Sequence, residues 1–284
     1  MRRTLVIGAT GNVGGKVVEQ LVAEGTQVRA MVRNPGSPRL PDCVEVVQGD
    51  LTVPESLDRC LDGIKAVFLV WTAPPATAEV AVGRIAKHAE RLVYLSAPLK
   101  TPHPFFQQPN ASRARGERME QLIEGSGVDW TFLRPHMFAE NSIGFWASQI
   151  RSGDLVRWPY ADVATAPIDE ADIARVAVRA LTSDGHSKAE YVITGPESLT
   201  QAEQISIIGQ ALGRTLRVEN LSPEEAHKEL AGVIPPGVLG YLLDAWGAAV
   251  GLPAWVTNTV EDVTGAPART FQEWAAEHRW EFQG

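Results

Sequence analysis

Glycine returns every third residue near the amino-terminal end of the chain, and this spacing constrains the fold more than any other feature. Leu5-Val6-Ile7 is a short apolar run. Gly8-Ala9-Thr10-Gly11-Asn12-Val13-Gly14 follows, and then Val13, Val17, Val18, Leu21 and Val22 mark one face of a helix. The order is strand, tight turn, helix. Glycine in the turn lets a phosphate approach the backbone, and the new helix offers unpaired N–H groups and a partial positive charge. A second strand, Gln27-Val28-Arg29-Ala30-Met31-Val32, comes next, which is the context that such a turn needs before dinucleotide binding is read from it. We therefore expect Gly8, Thr10, Gly11, Asn12 and Val13 to hold a dinucleotide pyrophosphate. The second strand ends in Arg33, where NAD-preferring sites carry an acid for the ribose 2′-OH. An arginine there suits a 2′-phosphate, so NADP(H) is favoured and NAD(H) stays open.

Strand-helix alternation continues. Val44-Glu45-Val46-Val47 reads as a third strand, followed by a helix over 54–61, capped near Thr52 with Pro54 in its first turn. Ala66-Val67-Phe68-Leu69-Val70 is apolar throughout, as a strand buried on both faces would be. Residues 76–89 read as a helix with Val80, Ile85 and Ala89 turned inward, 91–96 as a strand, 112–125 as a helix and 128–135 as a sixth strand. The fold class is α/β, a doubly wound parallel sheet, whose ligands sit at the carboxyl ends of the strands. Those ends place Asp50 and Leu51 beside an adenine, and Val70, Trp71 and Thr72 beside a ribose or nicotinamide. Ser96, Pro135 and Phe138 fall where nicotinamide and substrate meet.

After residue 140 the alternation loosens. Phe145, Trp146 and Ile150 suggest a helix leaving the sheet, and 165–168 a short strand. A helix opens at Asp169, and 191–195 reads as a returning strand. Further helices are expected over 198–212, from Ser222 and over 270–279, with a strand over 215–219. Residues 235–250 read either as a lid or as a packed helical hairpin. The expected division is a dinucleotide-binding domain over 1–140, with returning elements near 163–195, and a smaller discontinuous substrate or lid lobe over 141–284.

With 284 residues, 44% hydrophobic and 21% charged, the chain is an ordinary globular one. A net charge of −8 argues against a general nucleic-acid surface. No apolar run spans a bilayer, no secretory signal is apparent, and Cys43 and Cys60 read as free thiols, so a cytoplasmic location without membrane contact is expected. The six histidines show no ligand spacing, and no metal is expected. Exposed helices allow a homodimer, although no patch demands one.

Five segments and the tail together resemble the NmrA-like branch of the atypical short-chain dehydrogenase/reductases. They are the glycine turn, Val32-Arg33-Asn34-Pro35, Gly49-Asp50-Leu51, Asp129-Trp130-Thr131-Phe132-Leu133-Arg134-Pro135 and Asp169-Glu170-Ala171-Asp172-Ile173-Ala174. The tail runs from Val263-Thr264-Gly265-Ala266-Pro267 to Trp274. The resemblance covers essentially the whole chain. It implies a Rossmann domain with a small carboxyl-terminal substrate lobe, and a role among quinone and enone reductases, reductases of plant phenolics, or redox sensors that bind NADP without turnover. Bacterial relatives in aromatic polyketide pathways add the implication that quinone reduction prepares a ring for hydroxylation by oxygen.

One departure narrows the chemistry. Classical members of the wider superfamily use Tyr-x-x-x-Lys. Here the residues four after Tyr94, Tyr160, Tyr191 and Tyr241 are Pro98, Ala164, Gly195 and Ala245. Reducing a simple ketone develops a localised alkoxide that calls for a positioned acid. Reducing a quinone spreads the charge over a ring, and one hydrogen-bond donor or solvent then suffices. We expect an NAD(P)H-dependent reductase of a quinone or polycyclic, polyketide-like aromatic, with a monooxygenase-type role open. The alternative is an NADP(H)-binding redox sensor without turnover. His136 is the first candidate donor and Ser96 the second. Trp71, Phe105, Phe106, Phe138, Trp146 and Trp158 are candidates, with His136, for the wall of an aromatic-substrate site.

Overall fold

The computed structural model describes residues 3–36 and 40–284. Its centre is a seven-stranded sheet in the order β3-β2-β1-β4-β5-β6-β9, parallel at every pairing. The strands are β1 (Thr4–Ile7), β2 (Val28–Val32), β3 (Glu45–Gln48), β4 (Ala66–Val70), β5 (Arg91–Leu95), β6 (Asp129–Pro135) and β9 (Ala189–Ile193). The chain winds outward from β1 to β3 and then returns to β4 on the other side of β1. The switch beside β1 opens a crevice at the carboxyl ends of the strands. The central strands are apolar on both faces because helices cover both.

On one face lie α1 (Asn12–Ala23) and α6 (Glu170–Thr182), packed on each other and on Val6, Phe68 and Val93. On the other lie α2 (Leu57–Leu61), α3 (Ala78–His88) and α4 (Ala111–Gly125), over Leu5, Ile7, Val67 and Leu92. The third buried cluster belongs to the carboxyl-terminal lobe and is rich in tryptophan: Trp146, Trp158, Trp246 and Trp274. It is built from α5 (Asn141–Ser152), β7 (Leu155–Pro159), β8 (Ala164–Thr165), β10 (Leu199–Thr200), α7 (Gln201–Leu212), β11 (Arg217–Leu221), α8 (Pro223–Glu229), α9 (Pro236–Ala248) and α11 (Phe271–Glu277). A short α10 (Thr259–Thr264) packs on α6. No helix among the described residues is long and apolar enough to cross a membrane.

Several local expectations are corrected. Ile85 and Ala89 are buried as expected, but Val80 is 49% exposed, and Ala78, Ala81 and Val82 complete the buried face of α3 in its place. Thr52 caps nothing: its N–H and hydroxyl both donate to the Asp50 carboxylate, Pro54–Ser56 is a 3-10 turn, and α2 begins only at Leu57. The short strand expected over 165–168 is two residues, Ala164–Thr165, paired antiparallel with β10. Strand β7 has no counterpart in the sequence reading. It pairs with β11, which begins two residues later than expected. Within residues 235–250 lies a single helix, α9, whose Leu239, Leu243 and Trp246 enter the lobe core, so no hairpin is present there.

Candidate functional site

At the switch point the glycine turn is shaped for close approach. Gly8 has φ +94°, and a Cβ there would stand 2.8 Å from the Val70 Cβ. A Cβ on Gly14 would meet the Gly8 carbonyl oxygen at 2.0 Å, so only glycine lets α1 lie this close to β1. Gly11 is the N-cap of α1; no side chain caps the helix and its first turn holds no acid. Its leading N–H groups therefore remain for an anion. Thr10, Gly11, Asn12 and Arg33 are exposed, and Arg33 stands near enough to Asp50 to help hold that carboxyl below its usual range, after the two bonds from Thr52. With Val70, Trp71, Thr72 and Ser96 these residues follow the strand ends across the crevice, and the cradle fits a dinucleotide. The side chains of Val13 and Leu51 are in the core, so only their backbone faces the groove.

The crevice continues into a cavity of about 400 Å³ between the sheet and the carboxyl-terminal lobe. Its floor includes Ser96, Pro135, His136, Met137 and Phe138; the β5–α4 loop supplies Thr101, His103 and Phe106; α9 and the segment after it roof it with Tyr241, Trp246 and Trp255. None of its lining residues is Asp, Glu, Lys or Arg. Burial, aided by the nearby His103, pushes the His136 imidazole down to about 4, and burial also lowers His103, so both rings are neutral at pH 7. His136 Nε2 lies 2.6 Å from Thr101 Oγ1, and its backbone N–H is fixed to the Ile193 carbonyl.

Beneath the floor runs a charged relay. The Ser96 hydroxyl donates to Glu120 Oε1 at 2.6 Å; Glu120 holds Arg134 through two bonds, at 2.9 and 2.6 Å; Arg134 also donates to Glu190 at 2.7 Å, which in turn takes Lys100. Arg134 is 1% exposed, and the surrounding carboxylates satisfy its charge. Because Ser96 spends its proton on Glu120, what its oxygen can offer the cavity is acceptance.

The aromatic residues expected in the wall separate into three groups. Phe106 and Phe138 line the cavity, and Trp146 forms inner wall while almost wholly buried. Phe105 stands behind Phe106, edge-on to Tyr241 at 5.0 Å, and Trp71 lines a second cavity of about 420 Å³, with Arg115, on the other side of Ser96. Trp158 is fully buried in the lobe, donating to Gln201 Oε1 at 2.7 Å, and does not line the cavity. The sequence reading had treated it as wall because it lacked β7, which turns this side chain into the core. It also missed His103, Thr101, Tyr241 and the Glu120–Arg134 pair. Only the pair left a signal: an arginine inside an apolar strand needs a buried partner.

Comparison with known proteins agrees with this architecture. The family described as NAD(P)H-binding matches residues 8–184. The (4-alkanoyl-5-oxo-2,5-dihydrofuran-3-yl)methyl phosphate reductase of Streptomyces griseus is 40% identical over 281 residues, covering 96% of this chain and 97% of that protein. An NAD(P)H azoreductase of Xenophilus azovorans is 33% identical over 288 residues, covering 96% and 97%. Among solved structures, an NADPH-dependent quinone oxidoreductase from Escherichia coli shares the fold, with a TM-score of 0.80 at 21% identity, covering 96% of this chain and 98% of that one. The chain is thus an NAD(P)H-dependent oxidoreductase and belongs to the NAD(P)H-binding family, in the NmrA-like branch of the atypical short-chain dehydrogenase/reductases.

Proposed function

We propose that the protein reduces an uncharged, flat, conjugated acceptor, a fused-ring quinone of polyketide type, with NADPH. The observation that carries this reading is the cavity itself: about 400 Å³, aromatic on several sides, and without a charged side chain in its lining. A phosphate ester, the substrate class in the name of the Streptomyces griseus relative, would have no cation to receive it there. The azo and quinone groups in the names of the other two proteins belong to conjugated systems that a neutral aromatic site suits.

When bound, the cofactor supplies a hydride. Gly8, Gly11 and the first turn of α1 bind the pyrophosphate, Arg33 the 2′-phosphate, and Val70 to Thr72 flank the ribose. Phe106, Phe138 and Tyr241 hold the acceptor flat. No Tyr-x-x-x-Lys acid is needed, because the negative charge is spread over the ring and water protonates the hydroquinonate.

The test is NADPH consumption by the purified protein with naphthoquinones and anthraquinones, beside a phosphorylated butenolide and an aliphatic ketone. Turnover is expected with the quinones only. Preference for the phosphorylated compound or the aliphatic ketone would overturn the reading. Running the assay with and without oxygen reads whether the product goes on to hydroxylation.

A further inference from the structure

Two histidine rings line the cavity, and their hydrogen bonds differ in kind. His136 shares Nε2 with the Thr101 hydroxyl, a group that donates or accepts equally well, so its tautomer is left free. His103 Nδ1 receives the backbone N–H of Phe105 at 3.2 Å. A backbone N–H only donates, so Nδ1 must carry the lone pair and the neutral ring must carry its proton on Nε2. No described residue accepts from that Nε2–H. The ring is held by its surroundings: His103 N–H donates to the Thr101 carbonyl at 2.8 Å, Gln107 N–H to the His103 carbonyl at 3.1 Å, and Phe106 lies 4.5 Å from the imidazole. Of the hydroxyls in the same lining, Ser96 donates to Glu120.

We propose that His103 is a catalytic residue: its Nε2–H donates a hydrogen bond to the acceptor's carbonyl oxygen and stabilises the charge that develops there. The ring acts as a neutral electrophile. The two electrons and one hydrogen arrive as hydride from NADPH, the carbonyl becomes a hydroquinonate oxygen, and the proton that completes the hydroquinone comes from water. His103 keeps its own proton throughout, so no step regenerates it. The groups that titrate or carry charge around it are His136 at the end of β6 and Tyr241 on α9. Lys100 on its own loop is paired with Glu190, and Arg113 on α4 with Glu117.

This inference rests on the quinone-reductase reading, and two substitutions separate them. Glutamine places an amide N–H near where Nε2–H stands, whereas phenylalanine keeps the ring and removes the donor. H103F should lower kcat with a naphthoquinone by about 10²-fold, and H103Q should recover most of it. NADPH affinity, read by fluorescence titration, should be the same in all three proteins. Wild-type kcat should be level from pH 7 to 8. A rise toward acid pH that H103F abolishes would mean that an imidazolium transfers its proton, and would overturn the neutral-donor assignment. Naphthoquinone binding without cofactor, read by quenching of tryptophan fluorescence, makes up the second arm. If no quinone is turned over, yet H103F binds it about tenfold more weakly and H103Q restores binding, the reductase reading falls and the donor role stands. H103F equal to wild type in both kcat and affinity overturns the inference.

Discussion

Arg33 faces solvent at the end of β2, and among the described residues no carboxylate forms an ion pair with it. A guanidinium so placed gains most from a dianionic partner that it can grip through two parallel bonds. A charge-assisted hydrogen bond is worth about 1.5–3 kcal/mol, so Arg33→Ala is expected to weaken NADPH binding at least tenfold and leave NADH almost unchanged. Titration of the two cofactors against both proteins checks this. An equal loss for both would show that the arginine serves the adenine or ribose and not the 2′-phosphate. Gly8 makes a different demand. Its positive φ and the nearby Val70 leave no place for a methyl group. Gly8→Ala should therefore cost about 1–2 kcal/mol of stability and displace the turn that holds the pyrophosphate. A variant with wild-type melting temperature and NADPH affinity would contradict that reading of the turn.

At the scale of elements, α4 and β6 are joined through charge rather than through apolar packing alone. Glu120 leaves α4 to meet Arg134 near the carboxyl end of β6, just after Phe132 and Leu133, and β9 adds Glu190. Glu120→Ala removes two of Arg134's bonds and the acceptor of Ser96 together. Stripping one partner from a buried pair typically costs about 3–5 kcal/mol, and chemical denaturation should show a loss of that order. A loss under about 1 kcal/mol would mean that Glu190 alone suffices for Arg134. This pair also marks the limit of what could be read in advance. The parallel sheet, α1 and the order of β1 to β6 follow from runs of local pattern, in which each apolar stretch announces its own strand. Strand β7 escaped because Leu155-Val156-Arg157-Trp158-Pro159 is interrupted by an arginine and a proline, and it gains its place only by pairing with β11 more than sixty residues later. On α3 only Val80 turns outward against expectation, because the alanines of the buried face, Ala78 and Ala81, carry little hydrophobic contrast. In the site, the glycine turn was legible because backbone geometry demands a residue type. His103 was not, since its significance lies in one bond from Phe105 within a proline-flanked loop.

Over the whole molecule, buried ionisable groups shape how stability follows pH, and two with large shifts pull in opposite directions. His136 titrates near 6.5 when unfolded and near 4 in the fold, because burial opposes its charge. Between those values the unfolded chain binds the extra proton, so this histidine makes stability fall as pH drops from 6.5 toward 4; His103 and His186, lowered by burial, add to the same side. Glu170 is the reverse. Burial pushes its carboxyl from 4.5 up to about 8 at the start of α6, where one oxygen takes the Glu140 N–H at 3.1 Å. Here the unfolded chain releases its proton first, so stability falls as pH rises from 4.5 to 8, with Glu140 and Asp172, also raised by burial, acting in the same sense. From pH 4.5 to 6.5 the opposing slopes largely cancel. From 6.5 to 8 the histidines are neutral in both states and Glu170 continues alone, which amounts to about 2 kcal/mol at 1.36 kcal/mol per unit. The protein should therefore be most stable on the acid side of neutrality and lose stability toward pH 8. Glu170→Gln keeps an oxygen for the Glu140 N–H while removing the titration. Melting curves at pH 5, 6.5 and 8 should show that the substitution abolishes the alkaline decline and, with the cancelling slope gone, uncovers a fall in stability from pH 6.5 to 5 set by the histidines. A variant that declines between pH 6.5 and 8 as steeply as the wild type would place the alkaline sensitivity elsewhere and would mean that Glu170 is already ionised in the fold.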